Sequence, residues 1–250
     1  MVNGGTLALS GPGSLSNSGN IAVSAGATLD ASLRSDGTLT LTAGQTLTGS
    51  GTVKGNVIVG NGATLAPGGA LNTLTFNNNL TLNGGSTTVM EVSKAPVTND
   101  MAQVAGNLIY GGTLVLTNIS AGSFSAGDSF KLFNAAAFSG VFSNLVPVLP
   151  AVNLAWNTNN LGSGILSVVS SPTPKPGIVG PGLSGGNFVF GGTNGVPGWP
   201  CLELASTNLA APLNQWTIVA TNGFDANGNV SFTNSPDPNA AQMFYRLQLQ

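Results

Sequence analysis

The sequence predicts an all-β protein, a right-handed parallel β-solenoid followed by a small antiparallel, sandwich-like β module. Three observations favour this fold. Short segments that alternate polar and apolar residues recur along the first 169 residues, and such alternation is typical of a strand with one buried face. Glycine accounts for 36 of the 250 residues and separates these segments, as tight turns require. Residues 1–133 contain no convincing helical period, so strands and turns are the only regular elements expected there.

The predicted strands share one unit, in which a turn glycine leads into a Thr-Leu pair. The clearest copies are Gly5-Thr6-Leu7, Gly26-Ala27-Thr28-Leu29, Gly37-Thr38-Leu39, Gly62-Ala63-Thr64-Leu65 and Gly112-Thr113-Leu114. Internal repetition of short strands indicates a solenoid in which Leu, Val and Ile face inward and Thr, Ser and Asn face outward. At about 20 to 25 residues a rung, residues 1–165 would form about seven rungs, stacked about 4.8 Å apart. A sandwich of antiparallel hairpins is the alternative.

The chain is predicted to have three parts. Residues 1–169 form the solenoid, and an aromatic cap is expected at about 121–169, where Phe124, Phe130, Phe133, Phe138 and Phe142 enter a sequence otherwise poor in aromatic residues. Residues 170–186 are rich in Pro and Gly and read as a linker. Residues 187–250 form the small β module, in which Asn227-Gly228 indicates a hairpin turn.

The composition excludes several classes of chemistry. There is no His and one Cys, Cys201, so catalytic triads that need an imidazole and zinc sites built on His or paired Cys are ruled out. Lys and Arg together number 6, too few for a nucleic-acid-binding patch. No stretch of 18 apolar residues suggests a membrane-spanning helix. We therefore expect no catalytic residue, no metal site, no cofactor, no nucleic-acid partner and no membrane insertion.

Few lysines and many Thr, Ser, Asn and Gly residues are typical of extracellular proteins, so an extracellular or cell-surface location is predicted. The N-terminus Met1–Gly5 has neither the basic nor the apolar region of a signal peptide, and the export signal is expected outside this chain. A cytosolic protein is the alternative. A rung that begins at Gly4 without a cap would leave an open sheet edge, which invites end-to-end stacking of copies.

Several segments resemble a known family. Residues 62–69, 99–104 and 111–116 resemble the repeat of autotransporter-associated β-strand proteins, and 126–133 with 154–157 resemble the end of such passengers. The resemblance covers about residues 1–170. The tail from Ala205 to Leu247 resembles a C-terminal β module of some large bacterial surface proteins. The resemblance implies a secreted β-helical passenger that serves as a spacer, adhesin or scaffold.

Two acidic clusters are the candidates for glycoside chemistry, which needs two carboxyl groups about 5 to 10 Å apart. One contains Asp30 and Asp36 with Arg34, and the other contains Glu91 and Asp100 with Lys94. Lys or Arg can also serve polysaccharide lyases as a base, but Lys54 and Arg34 have no evident partner. Solvated turns with neighbouring counter-charges are the preferred interpretation of both clusters.

The remaining motifs favour structural roles. Residues 180–186 match glycine-rich catalytic and dinucleotide patterns but lack the strand and helix that such sites need. Residues 225–229 begin like a calcium loop, although a hairpin turn is preferred. Six threonines close in sequence suggest a Thr-rich face, Thr38, Thr40, Thr42, Thr46, Thr48 and Thr52. Such a face could order water if the rungs were regular, but the ordinary preference of Thr for strands explains it. Trp199 and Trp216 read as core residues, with sugar stacking as the alternative.

These observations predict a non-catalytic structural or adhesive surface protein, whose partners are copies of itself or surface glycans. A carbohydrate-binding protein or weak polysaccharide-active enzyme is the alternative.

Overall fold

The computed structural model of the protein describes residues 1–69 and 71–249, and it divides the chain into two units, Met1–Ser170 and Ser171–Gln250. The strands of the first unit, in chain order, are β1 (Thr6–Gly11), β2 (Asn20–Val23), β3 (Thr28–Arg34), β4 (Thr38–Leu41), β5 (Thr46–Gly49), β6 (Thr52–Lys54), β7 (Asn56–Val59), β8 (Thr64–Pro67), β9 (Thr73–Phe76), β10 (Leu80–Leu82), β11 (Thr87–Lys94), β12 (Val97–Asn99), β13 (Met101–Val104), β14 (Asn107–Tyr110), β15 (Thr113–Asn118), β16 (Ser129–Lys131), β17 (Phe133–Asn134), β18 (Ala137–Gly140), β19 (Asn144–Val146), β20 (Leu154–Asn157) and β21 (Ile165–Ser170).

The first unit is a parallel β-solenoid of about five turns over residues 6–140, as the sequence predicted. Three sheets form its sides, and the chain visits them in a fixed order. The first sheet has the order β1-β3-β6-β9-β13-β17, the second β4-β7-β10-β14-β18, and the third β2-β5-β8-β11-β15-β19. The predicted count of about seven rungs was wrong, because later rungs are longer than expected, as the pairing of Ala102 with Phe133 shows.

Apart from a shift between β1 and β3, the strands keep their register from rung to rung although rung length varies. In the third sheet Thr46, Thr64, Thr87 and Thr113 occupy the same strand position in four successive rungs. Inward columns form in the same way, for example Leu29, Val53, Phe76 and Val104 in the first sheet, all of which are buried. Burying these apolar columns is the main source of stability, at about 25 cal/mol for each Å² removed from water.

One inward column contains a hydroxyl group. Thr88 lies between Leu65 and Leu114 in the third sheet, is 0% exposed, and its Oγ1 has no hydrogen-bond partner among the described residues. A buried unpaired hydroxyl costs about 1–3 kcal/mol.

We therefore expect Thr88→Val to raise the free energy of unfolding by about 1 kcal/mol, measured by urea denaturation. Thr87→Val, on the outward face of the same strand, is the control and should change it by less than about 0.5 kcal/mol; an equal effect of both changes would contradict the assignment.

A loop covers part of the N-terminal end of the solenoid, but β1 is still the outermost strand of the first sheet, so end-to-end stacking of copies stays a prediction. No strand of the second sheet precedes β4 among the described residues, and the loop of residues 12–19 follows β1 there. Leu15 of this loop packs against the core, and Gln45 Nε2 donates hydrogen bonds to the carbonyl oxygens of Leu15 (2.7 Å) and Ser18 (2.9 Å). Arg34 also donates to the carbonyl oxygen of Gly13. Two side chains from the second rung thus hold the loop in place.

Aromatic residues gather where the solenoid ends. The rings of Tyr110 and Phe133 meet edge to face at 5.1 Å between centroids, and that of Phe142 lies 4.8 Å from Tyr110. Strands β16, β21 and β20 form a separate antiparallel sheet in this region. Trp156 on β20 packs against Phe124 at 5.3 Å. These rings supply apolar area beyond the last full rung.

The second unit contains β22 (Gly177–Ser184), β23 (Asn187–Thr193), β24 (Pro200–Ser206), β25 (Thr217–Gly223), β26 (Val230–Asn234) and β27 (Phe244–Leu249). They form two antiparallel sheets with the orders β22-β23-β26 and β25-β24-β27. Phe190 and Phe232 of one sheet and Cys201 and Leu247 of the other share one buried core.

Strand β22 corrects the prediction of a linker over residues 170–186. It pairs with β23 across a bulge between Val179 and Gly182, next to Pro181. Alternation did not reveal it because nearly all of its side chains are exposed on both faces. A proline at a bulge of an edge strand is compatible with sheet structure, since the edge does not need its missing N–H group.

Candidate functional site

The first acidic cluster is held by local hydrogen bonds. Asp30 Oδ1 accepts from the backbone N–H (2.9 Å) and hydroxyl (2.6 Å) of Ser32, and Asp30 Oδ2 lies 4.0 Å from Lys54 Nζ on the next rung. Arg34 donates two hydrogen bonds to Asp36, at 3.0 and 3.1 Å. The hydrogen bonds from Ser32 lower the pKa of Asp30, and those from Arg34 lower the pKa of Asp36. Neither carboxyl group therefore has the raised pKa that a general acid needs.

The second cluster is not a pair of solvated turns with Lys94 as counter-charge, and this prediction was wrong. Asp100 is 1% exposed, and its carboxylate accepts the backbone N–H groups of Glu91 (2.8 Å) and Asn72 (3.0 Å). Burial raises the pKa of Asp100, and these two hydrogen bonds oppose the rise. Lys94 pairs instead with Asp128, at 3.6 Å. Asp100 is a structural acceptor that fixes β11 to the chain before β9.

The predicted Thr-rich face does not exist as one surface. Thr38 and Thr40 lie on β4 of the second sheet, Thr46 and Thr48 on β5 of the third, and Thr52 on β6 of the first. Consecutive strands turn to different sides of the solenoid, so threonines close in sequence point in different directions. Aligned threonines come from different rungs instead, as in the columns Thr46-Thr64-Thr87-Thr113 and Thr6-Thr28-Thr52-Thr75.

The candidates of the second unit have structural partners. Trp199 and Trp216 are both half-buried and belong to no buried core cluster of the described residues, so the prediction of core residues was wrong; Trp216 Nε1 donates to the carbonyl oxygen of Ala211 at 3.0 Å. Asp225 Oδ1 accepts the backbone N–H groups of Asn227 (2.9 Å) and Asn229 (2.8 Å), which lowers the pKa of Asp225. This turn joins β25 to β26, which belong to different sheets, so it is a tight turn but not the predicted hairpin. The motif of residues 180–186 lies on β22 and the turn after it.

Two cavities have aromatic walls. One, of about 280 Å³, lies at the end of the solenoid against Tyr110, Phe138, Phe142 and Leu145. Tyr110 OH donates to the carbonyl oxygen of Leu161 at 3.0 Å, so this hydroxyl group is already bonded. The other, of about 270 Å³, lies in the second unit against Phe188, Tyr245, Met243 and Asp237. The rings of Phe188 and Tyr245 stack at 5.2 Å.

The structure also shows a buried acid that the sequence analysis missed. Glu203 on β24 is 0% exposed, and Asn234 Nδ2 on β26 donates to its Oε1 at 2.5 Å. A signal was present, because Cys201 and Ala205, two residues before and after it, are small apolar residues that predict an inward face.

Among the described residues, no group of three or more His, Cys, Asp and Glu side chains is placed to hold a metal ion. Within the same part of the chain, no helix has the length and apolar character needed to cross a membrane. No protein-family model matches the chain, and no curated protein matches its sequence.

Proposed function

We propose that this protein is a non-catalytic structural and adhesive component of a cell surface, a scaffold or spacer exported from the cell. The observation that carries the proposal is that acidic side chains of the solenoid accept hydrogen bonds that hold its turns and strands. Asp30, Asp36 and Asp100 each accept hydrogen bonds from neighbouring turns or strands. Three of the four candidate acids are thus engaged in holding the backbone, so neither cluster keeps two free carboxyl groups.

The remaining surface of the solenoid suits this role. Its outward strand positions are mostly Thr, Asn, Ser, Ala and Val, which are all neutral, and Thr and Val also favour strands. An uncharged, regularly paired wall gives a stable support without attracting ions or nucleic acid. The resemblance to autotransporter-associated passengers supports the same function and an extracellular location. Partners would be surface glycans or further copies of the chain.

A carbohydrate-binding protein is the second candidate, and the cavity against Phe188 and Tyr245 favours it. Aromatic rings beside a carboxylate, here Asp237, are a common way to hold a sugar by stacking and hydrogen bonding. The two candidates differ in where a glycan would bind, since an adhesive solenoid does not need this cavity.

The full chain should be incubated with a broad panel of polysaccharides, and both binding and release of new chain ends should be measured. We expect no turnover above that of a protein-free control, and no change on substituting Asp30→Asn and Asp36→Asn together. Turnover that the double substitution abolishes would overturn the proposal. Binding that Tyr245→Ala removes, with Trp216→Ala as the matched control in the same unit, would select the carbohydrate-binding candidate.

A further inference from the structure

The side chain of Glu203 joins the two sheets of the second unit. It projects from β24 of one sheet, and its only hydrogen bond among the described residues comes from Asn234 on β26 of the other. The second carboxyl oxygen, Oε2, is buried and has no hydrogen-bond partner in the part of the chain that the structure describes. A carboxylate in this position would be an incompletely satisfied buried charge, which is costly.

No Lys or Arg of the described residues forms an ion pair with Glu203. The ion pairs among the described residues join Arg34 to Asp36, Lys54 to Asp30 and Lys94 to Asp128, and all of them lie in the first unit. The titratable groups near Glu203 are Cys201 on its own strand and Tyr245 on β27. Burial raises the pKa of both groups, that of Cys201 to about 11, and the Glu203 charge contributes to raising the pKa of both, so both are neutral near pH 7. Ala220 on β25 pairs with Glu203, and Asn234 on β26 donates to it, so these two strands place apolar or amide side chains beside the carboxyl group.

We propose that Glu203 is a pH-sensitive latch of the second unit: its carboxyl group keeps a proton while the two sheets are packed together, and loss of the proton loosens them. In the protonated form the group is neutral, so the unpaired Oε2 no longer places a charge in the core. Deprotonation leaves a buried charge that only opening of the unit can hydrate.

The direction of the pH effect follows from the pKa. Burial raises the pKa of Glu203, and the hydrogen bond from Asn234 opposes the rise only in part. The folded unit therefore binds the proton more tightly than the unfolded chain, where the pKa of Glu is about 4.3. The stabilisation is complete below that value and is lost as the pH rises through the folded-state pKa. Between the unfolded-state and folded-state pKa values of Glu203, the equilibrium constant for opening of the unit increases by up to about tenfold per pH unit.

The composition makes this effect unusually easy to isolate. The chain has no His, so no imidazole titrates near neutral pH. It has only two glutamates, Glu91 and Glu203, and one cysteine, Cys201, which is buried in the core of the same unit. Asp100, the other acid with a raised pKa, lies in the first unit.

Two measurements on the full chain test the proposal. With ¹³C placed in the side-chain carboxyl groups of glutamate, NMR should show two signals, of which Glu203→Gln removes one and Glu91→Gln the other. The ordinary pKa of a Glu side chain is about 4.3. We expect the titration midpoint of the Glu203 signal to lie clearly above this value. A midpoint at or below that value would overturn the proposal, even if Glu203→Gln did not fold, because Glu91→Gln alone assigns the signals.

The second measurement follows opening through the labelling rate of Cys201 by a thiol reagent, divided by the rate for the urea-unfolded chain at the same pH. This ratio removes the intrinsic pH dependence of the thiol. We expect the ratio to rise with pH in the unsubstituted chain and in Glu91→Gln, and to stay flat in Glu203→Gln. The same pH dependence in all three proteins would refute the latch.

Discussion

Gly49→Ala is expected to destabilise the solenoid by about 2–5 kcal/mol, although it adds a single methyl group. Gly49 ends β5 with φ +112°, and a Cβ there would lie 2.1 Å from the carbonyl oxygen of Val23 on the preceding rung. That oxygen accepts the N–H groups of Ser50 (2.9 Å) and Gly51 (3.0 Å), so the methyl group would separate two rungs and weaken both bonds. Strain at a positive φ costs about 1–3 kcal/mol, and each lost hydrogen bond about 0.5–1.5 kcal/mol.

Gly69→Ala is the matched control. Gly69 has nearly the same φ, +117°, but among the described residues nothing beyond its chain neighbours lies within 4 Å of its Cβ position. It should therefore show the backbone strain alone, about 1–3 kcal/mol, without the loss from separated rungs. Urea denaturation followed by far-ultraviolet circular dichroism measures both. Equal losses for the two variants would show that the close approach of the rungs does not matter.

Phe133→Ala is expected to cost about 3–5 kcal/mol, the usual loss for removing a fully buried phenylalanine ring. Phe133 is 0% exposed, and its strand β17 pairs with β13 as the last strand of the first sheet. Its ring contacts those of Tyr110 and Phe142, so its removal leaves a hole where the rungs meet the aromatic residues beyond them.

Trp156 can report this loss. In a background with Trp199→Phe and Trp216→Phe it is the remaining tryptophan, and it lies in the first unit. Its fluorescence should give a lower urea midpoint for Phe133→Ala. Val141→Ala, whose side chain is 76% exposed, should move the midpoint by the equivalent of less than about 0.5 kcal/mol. An unchanged midpoint in Phe133→Ala would mean that the ring does not couple the rungs to this region.

The strands of the solenoid could be predicted because each carries its own pattern. A turn glycine closely followed by Thr and Leu predicts where a strand begins and that the Leu side chain is buried. The observed strands that begin at Thr28, Thr38, Thr64 and Thr113 agree with this pattern. Strand β22 could not be found in this way, because an exposed edge strand has no buried face to leave a pattern.

Neighbours across rungs were harder to predict, because they depend on how many residues each corner contains. The mistaken grouping of Thr38 to Thr52 came from judging proximity along the chain, whereas the aligned threonines are a whole rung apart. The role of Asp100 also depends on long-range pairing, since its partners Glu91 and Asn72 come together only when β11 and the chain before β9 are in place. Local sequence patterns do not predict which distant residues come together in this way.

Constant register between rungs of unequal length has a consequence for how such a protein can change over time. Extra residues collect at the corners and leave the strand ladders aligned, so corner segments are free to lengthen, shorten or acquire new surface chemistry. Because each rung from β3 to β19 places one strand in each of the three sheets, whole rungs can be duplicated or deleted without redesigning their neighbours. The span of the solenoid is therefore set by copy number, independently of what its corners display.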